Sequence, residues 1–341
     1  MQGHPQRHQI ERALVSLLET SRNETEADAW RLISGCLADI NEALQVFRPH
    51  RAARKITVFG SARAKIDSPA YLLAEELAKL AVAQGFEVMT GAGSGIMQAA
   101  NQGAGCDNSI GLNVDLPYEQ HANQYVSGCG GRLLHFRYFF TRKLFFLRES
   151  DALVVLPGGF GTLDELFESL TLIQTGRTSP IPLVLLAPEG DGFWQGWQRD
   201  LNQGLAARGL ISPEDVDLLK EAQSAAEAIQ LISHFYRVFH TAQLGDDRIV
   251  LLLHAPVPEA DLQRLNREFD DLVDEGNIYS GEGVDDNGIL RPCLRFHFDM
   301  SRVGRLYQLI DALNGLELEP CKALEQPGQR LQPGQRLQAS P

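Results

Sequence analysis

The residues best suited to chemistry fall in three glycine-rich stretches, each following a short apolar run. They are Gly60-Ser61-Ala62-Arg63, Thr90-Gly91-Ala92-Gly93-Ser94-Gly95 and Pro157-Gly158-Gly159-Phe160-Gly161-Thr162. Glycine tolerates positive φ and lets backbone N–H groups approach an anion, and a helix N-terminus behind each loop favours negative charge. Three such loops on one sheet edge describe a phosphate cradle. The middle loop is spaced G-x-G-x-G, not G-x-G-x-x-G, although Asp107 and Asp115 lie near the offset of a ribose-binding acid, so a dinucleotide is set aside. No G-x-x-x-x-G-K-[ST] occurs, which removes the P-loop reading and leaves a mononucleotide.

Charged residues of both signs lie beside these loops. Residues 139–148, FFTRKLFFLR, read as an amphipathic helix that places Arg142 and Lys143 just upstream of the strand before the third loop. Two adjacent cations in an apolar stretch suit contact with phosphate, by a bidentate guanidinium above all; the plainer alternative is a surface pair that snorkels. After the third loop come Asp164, Glu165 and Glu168. Acids in a first helical turn are ordinary complements of the helix dipole, but Glu165, one turn on, would face whatever sits on the loop.

The elements that must position these residues follow from periodicity. Apolar runs of strand length at 56–59, 86–89, 110–114, 152–156 and 183–186 alternate with helical patterns, the mark of βα units in a parallel sheet. The expected fold is α/β, a doubly wound parallel sheet of Rossmann-like type over residues 51–243, with all three loops at its carboxyl edge. Residues 1–50 form an N-terminal helical segment. A small α+β unit covers 246–318, with strands at 248–253 and 294–298, helices at 259–274 and 302–313, and a Gly/Asp-rich loop at 281–288. Residues 319–341 carry QPGQRL twice, at 326–331 and 332–337, and read as a disordered tail.

The 341-residue chain is 44% hydrophobic and 22% charged, a composition of globular proteins rather than disordered, collagen-like or disulfide-rich ones. Its formal charge of −13 and the lack of a long basic run disfavour nucleic acid and anionic membranes as partners, so an anionic ligand needs a local positive pocket. No stretch is long and apolar enough to span a membrane, and the first residues lack the apolar core of a secretion signal, which gives a cytoplasmic expectation. The five cysteines, Cys36, Cys106, Cys129, Cys293 and Cys321, are widely spaced with no C-x-x-C and read as reduced thiols. The nine histidines form no H-E-x-x-H or H-x-H pair, so no metal is expected.

PGGFGTLDE at 157–165 matches the PGGxGTxxE signature of the LOG ("lonely guy") proteins, and Arg142-Lys143 matches that family's upstream Arg-Lys pair. The chain therefore resembles nucleoside-monophosphate phosphoribohydrolases, which cleave the N-glycosidic bond of AMP or cytokinin riboside monophosphates. The resemblance implies Arg142 and Glu165 as catalytic residues. It implies a substrate site of Gly60, Ser61, Gly91, Gly93, Gly95, Lys143, Pro157, Gly158, Gly159, Gly161 and Thr162, no metal or cofactor, and a homodimer or larger assembly. Either purine salvage or cytokinin production would fit. Many members have been labelled lysine decarboxylases, a label set aside here because the motif glycines suit phosphate better than pyridoxal phosphate. Three features depart from the plant-type members: greater length, the added terminal segments, and Gln98 where an acid is frequent. The rival reading is a carrier of a nucleotide or of molybdenum cofactor without chemistry, since carriers of that cofactor look like the same fold.

Overall fold

The computed structural model describes residues 3–114, 121–245 and 248–318, together with Gly328. Helices α1 (Arg7–Asn23) and α2 (Ala27–Phe47) lead into β1 (Lys55–Phe59), α3 (Pro69–Ala83), β2 (Glu87–Thr90), α4 (Ile96–Ala104) and β3 (Ser109–Val114). A short α5 (Gln124–Ser127) precedes β4 (Leu133–Phe136), α6 (Phe139–Glu149), β5 (Ala152–Val155) and α7 (Phe160–Gln174). The first sheet is completed by β6 (Leu183–Leu186), α8 (Phe193–Asp200), β7 (Leu219–Ala222) and α9 (Ala225–Phe235).

The seven strands lie in the order β4-β3-β2-β1-β5-β6-β7, and every pairing is parallel. Strands β1, β2, β3, β5 and β6 are buried along their whole length, as expected of a sheet covered on both faces, which explains their near-continuous apolar runs. Local signals set the helix starts. Ser68 caps α3 by accepting from the Tyr71 amide with Pro69 in the first turn, and Ser224 caps α9 through the Glu227 amide.

A second, antiparallel sheet follows, formed by β8 (Phe239–Leu244), β9 (Arg248–Leu253), β10 (Tyr279–Val284) and β11 (Leu290–His297) in the order β10-β11-β9-β8. Helices α10 (Glu259–Glu268) and α11 (Val303–Asn314) complete this unit. The loop expected at 281–288 is corrected: its first half belongs to β10, which pairs with β11 from Tyr279 to Val284. Its residues are largely exposed and rich in glycine, so the strand rests on backbone hydrogen bonds and leaves no apolar alternation to read. Likewise the helix expected at 259–274 stops at Glu268.

A buried ionic chain joins the two units. The Arg54 guanidinium lies 3.4 Å from Asp151 Oδ1, donates to the His240 carbonyl at 3.2 Å and stacks 3.7 Å over the Tyr236 ring. Asp285, 3.5 Å from His240 Nε2, accepts from Arg291 Nε at 2.7 Å. Gly328 is buried beside Arg54, accepting from its amide at 2.7 Å and donating to the Gln84 carbonyl at 3.0 Å. At that residue the expectation of an undocked tail does not hold; the rest of 319–341 lies outside the described residues. The expectation of reduced thiols is corrected for one pair, since Cys106 and Cys129 form a disulfide across a Cα–Cα distance of 5.3 Å. They are 23 residues apart, and the passage through β3 brings them together, which linear spacing does not reveal. No helix among the described residues is long and apolar enough to cross a membrane.

Candidate active site

Strand order reverses between β1 and β5: from β1 the chain steps outward through β2, β3 and β4, then returns to β5 on the other side. The loops after β1 and β5 diverge at this switch point, where open α/β sheets bind ligands. A cavity of about 780 Å³ opens there. Its wall includes Gly60, Ser61, Gly91, Gly158, Gly159, Gly161 and Thr162, with Arg142 and Glu165.

Gly159 is the N-cap of α7 and supplies no side-chain cap to the first-turn N–H groups, and Gly159, Phe160, Gly161 and Thr162 at this helix start all line the cavity. Gly158 is required by close approach, since a Cβ there would lie 2.3 Å from Thr162 Oγ1. Phe160, between the motif glycines, is 94% exposed in the cavity wall.

Two side chains give the cavity its electrostatic character. Arg142 from α6 places Nη2 3.2 Å from Glu165 Oε1 of α7, with both side chains mostly buried. Its guanidinium stands over the rings of Phe139 and Phe146, and the buried Nε has no hydrogen-bond partner among the described residues. Burial lowers the Arg142 pKa from its ordinary value, against the opposing pull of Glu165 and Asp164. Burial also pushes the Glu165 carboxyl up to about 7, with Arg142 partly restraining the rise. Desolvation is the larger influence, and it poises Glu165 to exchange a proton near neutrality.

The Arg142-Lys143 pair separates in space. Lys143 turns out of the cavity wall, its Nζ 2.7 Å from Asp164 and 3.0 Å from Glu168. Successive helical residues diverge by about 100°, so neighbours in sequence need not share a target. Gly93, Gly95 and Pro157 also lie outside the wall and act on the loops themselves. Gly95, at φ +65°, brings the second loop against the first, where a Cβ would come within 2.3 Å of the Ser61 carbonyl. Gly93 O accepts from Asn123 Nδ2 at 3.0 Å, and Pro157 O accepts from the Ser61 amide at 3.2 Å. Gln98 is not in the wall either, and Asp107 is exposed in a turn beyond α4. Asp115 lies outside the described residues.

Several contributors escaped the sequence reading. Phe193 and Trp197, one turn apart on α8, line the cavity beside Met97 and Val114. Aromatics at positions i and i+4 of a helix were the available signal. Asp39 is more remote. Buried on α2, it accepts from the Arg137 amide at 3.0 Å and from Thr141 Oγ1 at 2.7 Å, fixing the first turn of the helix that carries Arg142.

A family profile described as "Possible lysine decarboxylase" matches residues 89–232. A probable cytokinin riboside 5′-monophosphate phosphoribohydrolase of Oryza sativa subsp. japonica is 30% identical over 166 residues, covering 48% of this chain and 75% of that protein. The chain belongs to the LOG family. A second LOG relative, a cytokinin riboside 5′-monophosphate phosphoribohydrolase of Arabidopsis thaliana, is 27% identical over 187 residues, 53% of this chain and 83% of its own. Among solved structures, the molybdenum cofactor binding protein of Rippkaea orientalis is 20% identical with a TM-score of 0.39, covering 53% of this chain and 96% of that one. The decarboxylase description does not fit this LOG cavity. Pyridoxal phosphate requires a lysine for its Schiff base, and no lysine lines the wall among the described residues.

Proposed function

We propose that the chain hydrolyses the N-glycosidic bond of a purine nucleoside 5′-monophosphate, AMP or a cytokinin riboside monophosphate, to free base and ribose 5-phosphate. One observation carries the reading: the Arg142–Glu165 pair at 3.2 Å shares a cavity with the uncapped start of α7. The α7 N–H groups and Thr162 receive the 5′-phosphate. As the glycosidic bond breaks, positive charge grows at the anomeric carbon, and the Glu165 carboxylate stabilises it while orienting or deprotonating the attacking water. Arg142 holds Glu165 in place and favours its ionised form.

The same reading includes a cytoplasmic address and a homodimer or larger assembly. The test is to incubate pure protein with AMP, CMP, GMP and isopentenyladenosine monophosphate and measure released base. Release from the adenine nucleotides supports the proposal; tight binding without release from any of them replaces it with a carrier.

A further inference from the structure

The chemistry proposed above makes no use of Cys106 and Cys129. Cys106 is exposed just past the end of α4, and Cys129 is buried just past α5. The same two helices hold the second glycine loop. On α4, Asn101 Oδ1 accepts from Thr90 Oγ1 at 2.8 Å; at the start of α5, Asn123 donates to Asn101 Oδ1, to the Gly93 carbonyl and, through its amide, to the Ala92 carbonyl. Ala92 sits at φ +60°, a conformation a non-glycine residue keeps only when its surroundings impose it. Gly91, Met97 at the start of α4, and Val114 within the stretch enclosed by the disulfide all line the main cavity. The disulfide thus ties together the C-terminal ends of two helices that hold the second glycine loop, whose Gly91 lines that cavity with Met97 at the start of α4.

We propose that Cys106 and Cys129 form a reversible oxidation site, opened by dithiol reductants, that sets how firmly the 91–95 loop is held against the cavity. A reductant thiolate attacks the exposed Cys106 sulfur, the Cys106–Cys129 bond breaks, and Cys129 leaves as a thiolate that takes up a proton. The reductant's second thiol then displaces Cys106, which is protonated in turn. The products are two protein thiols and an oxidised, disulfide-form reductant, two electrons having passed to the protein. In a reducing compartment such a bond is transient and regulatory rather than permanent. Opening it frees a loop of the chain that closure had restricted, and the two helix ends lose their shared constraint. The effect on substrate rests on the nucleotide reading above, whereas the thiol chemistry does not.

The test uses the full chain, oxidised with diamide, with half then reduced by dithiothreitol. Alkylation and peptide mass spectrometry should find a linked Cys106–Cys129 pair in the first half and both Cys106 and Cys129 labelled in the second. Reduction should raise the KM for AMP on the order of five-fold or more, with a smaller change in kcat, and lower the melting midpoint. The double variant Cys106→Ser, Cys129→Ser should show the reduced values and ignore dithiothreitol. The proposal is overturned by the absence of the linked pair after oxidation, by equal KM and midpoint in both states, or by a dithiothreitol response that persists in the double variant. If the parent neither binds nor cleaves AMP in either state, the nucleotide reading fails by itself, and the linked peptide and the melting midpoint decide the thiol site.

Discussion

Glu165 combines a surrounding that penalises its charge with a cation that relieves the penalty, and the balance leaves its carboxyl near 7. The ionised form does the work, so kcat/KM for AMP should rise with pH through about 7. Glu165→Gln keeps size and much of the hydrogen bonding but cannot ionise; it should still bind AMP, lose that pH limb and turn over 10² to 10³ times more slowly, about 3–4 kcal/mol. Full turnover in this variant, or an unchanged pH profile, would remove Glu165 from the mechanism. Stability carries the opposite sign. The unfolded carboxyl releases its proton near 4.5 and the folded one near 7, so across this window rising pH forces an unfavourable charge on the native state. In urea titrations the stability difference between Glu165→Gln and the parent should shift toward the variant by on the order of 2–3 kcal/mol from pH 4.5 to pH 8. Arg142→Lys keeps the charge and loses the planar fork, so it should impair turnover less than Arg142→Ala does.

Helix α2 acts as a brace for α6. Gly35 lets the two approach, since a Cβ there would lie 2.8 Å from the Tyr138 ring, and Asp39 then takes the donors at the start of α6. Asp39→Ala removes the acceptor of the Arg137 amide, at about 1–3 kcal/mol, while Thr141 keeps its bond to the Tyr138 carbonyl, so the melting midpoint should fall. If the brace also sets Arg142, kcat should fall with the midpoint; a stability loss with kcat intact would confine Asp39 to packing. Neither Asp39 nor its partners could be paired from sequence, because the two ends of this contact are about 100 residues apart. The βα rhythm was legible because β1, β2, β3, β5 and β6 are buried on both faces and read as apolar runs. By contrast β7, Leu-Lys-Glu-Ala at the sheet edge, and β4, with His135 exposed, carry too little apolar patterning to announce themselves. Of the candidate site, the third loop with Arg142 and Glu165 was legible because motif and helix period coincide there. The outward turn of Lys143 and the arrival of α8 depend on helix phase and tertiary position.

Across the molecule, the aromatic run on and before α6 divides its duties. Phe136, Phe145 and Phe146 enter the core, while Phe140 and Leu144 stay 55% and 52% exposed. Helix α1 buries no residue and exposes Leu14, Val15 and Leu18. Apolar surface of this kind suits an interface between copies, so light scattering at micromolar concentration should give a dimer or larger species. Phe140→Asp with Leu144→Asp should shift it toward monomer, and a monomeric parent would sink the assembly. The junction at the amino edge of the large sheet bears on how the protein is made. Arg54 is synthesised early, yet its guanidinium waits for the His240 carbonyl and its amide for Gly328, about 270 residues later. At ~5–20 residues per second that interval is on the order of tens of seconds. A nascent chain on the ribosome therefore carries a nearly complete parallel sheet whose central strand begins beside a cation already facing Asp151 and Tyr236 but still waiting for the His240 carbonyl, and the junction between the two units closes only after Gly328 has emerged.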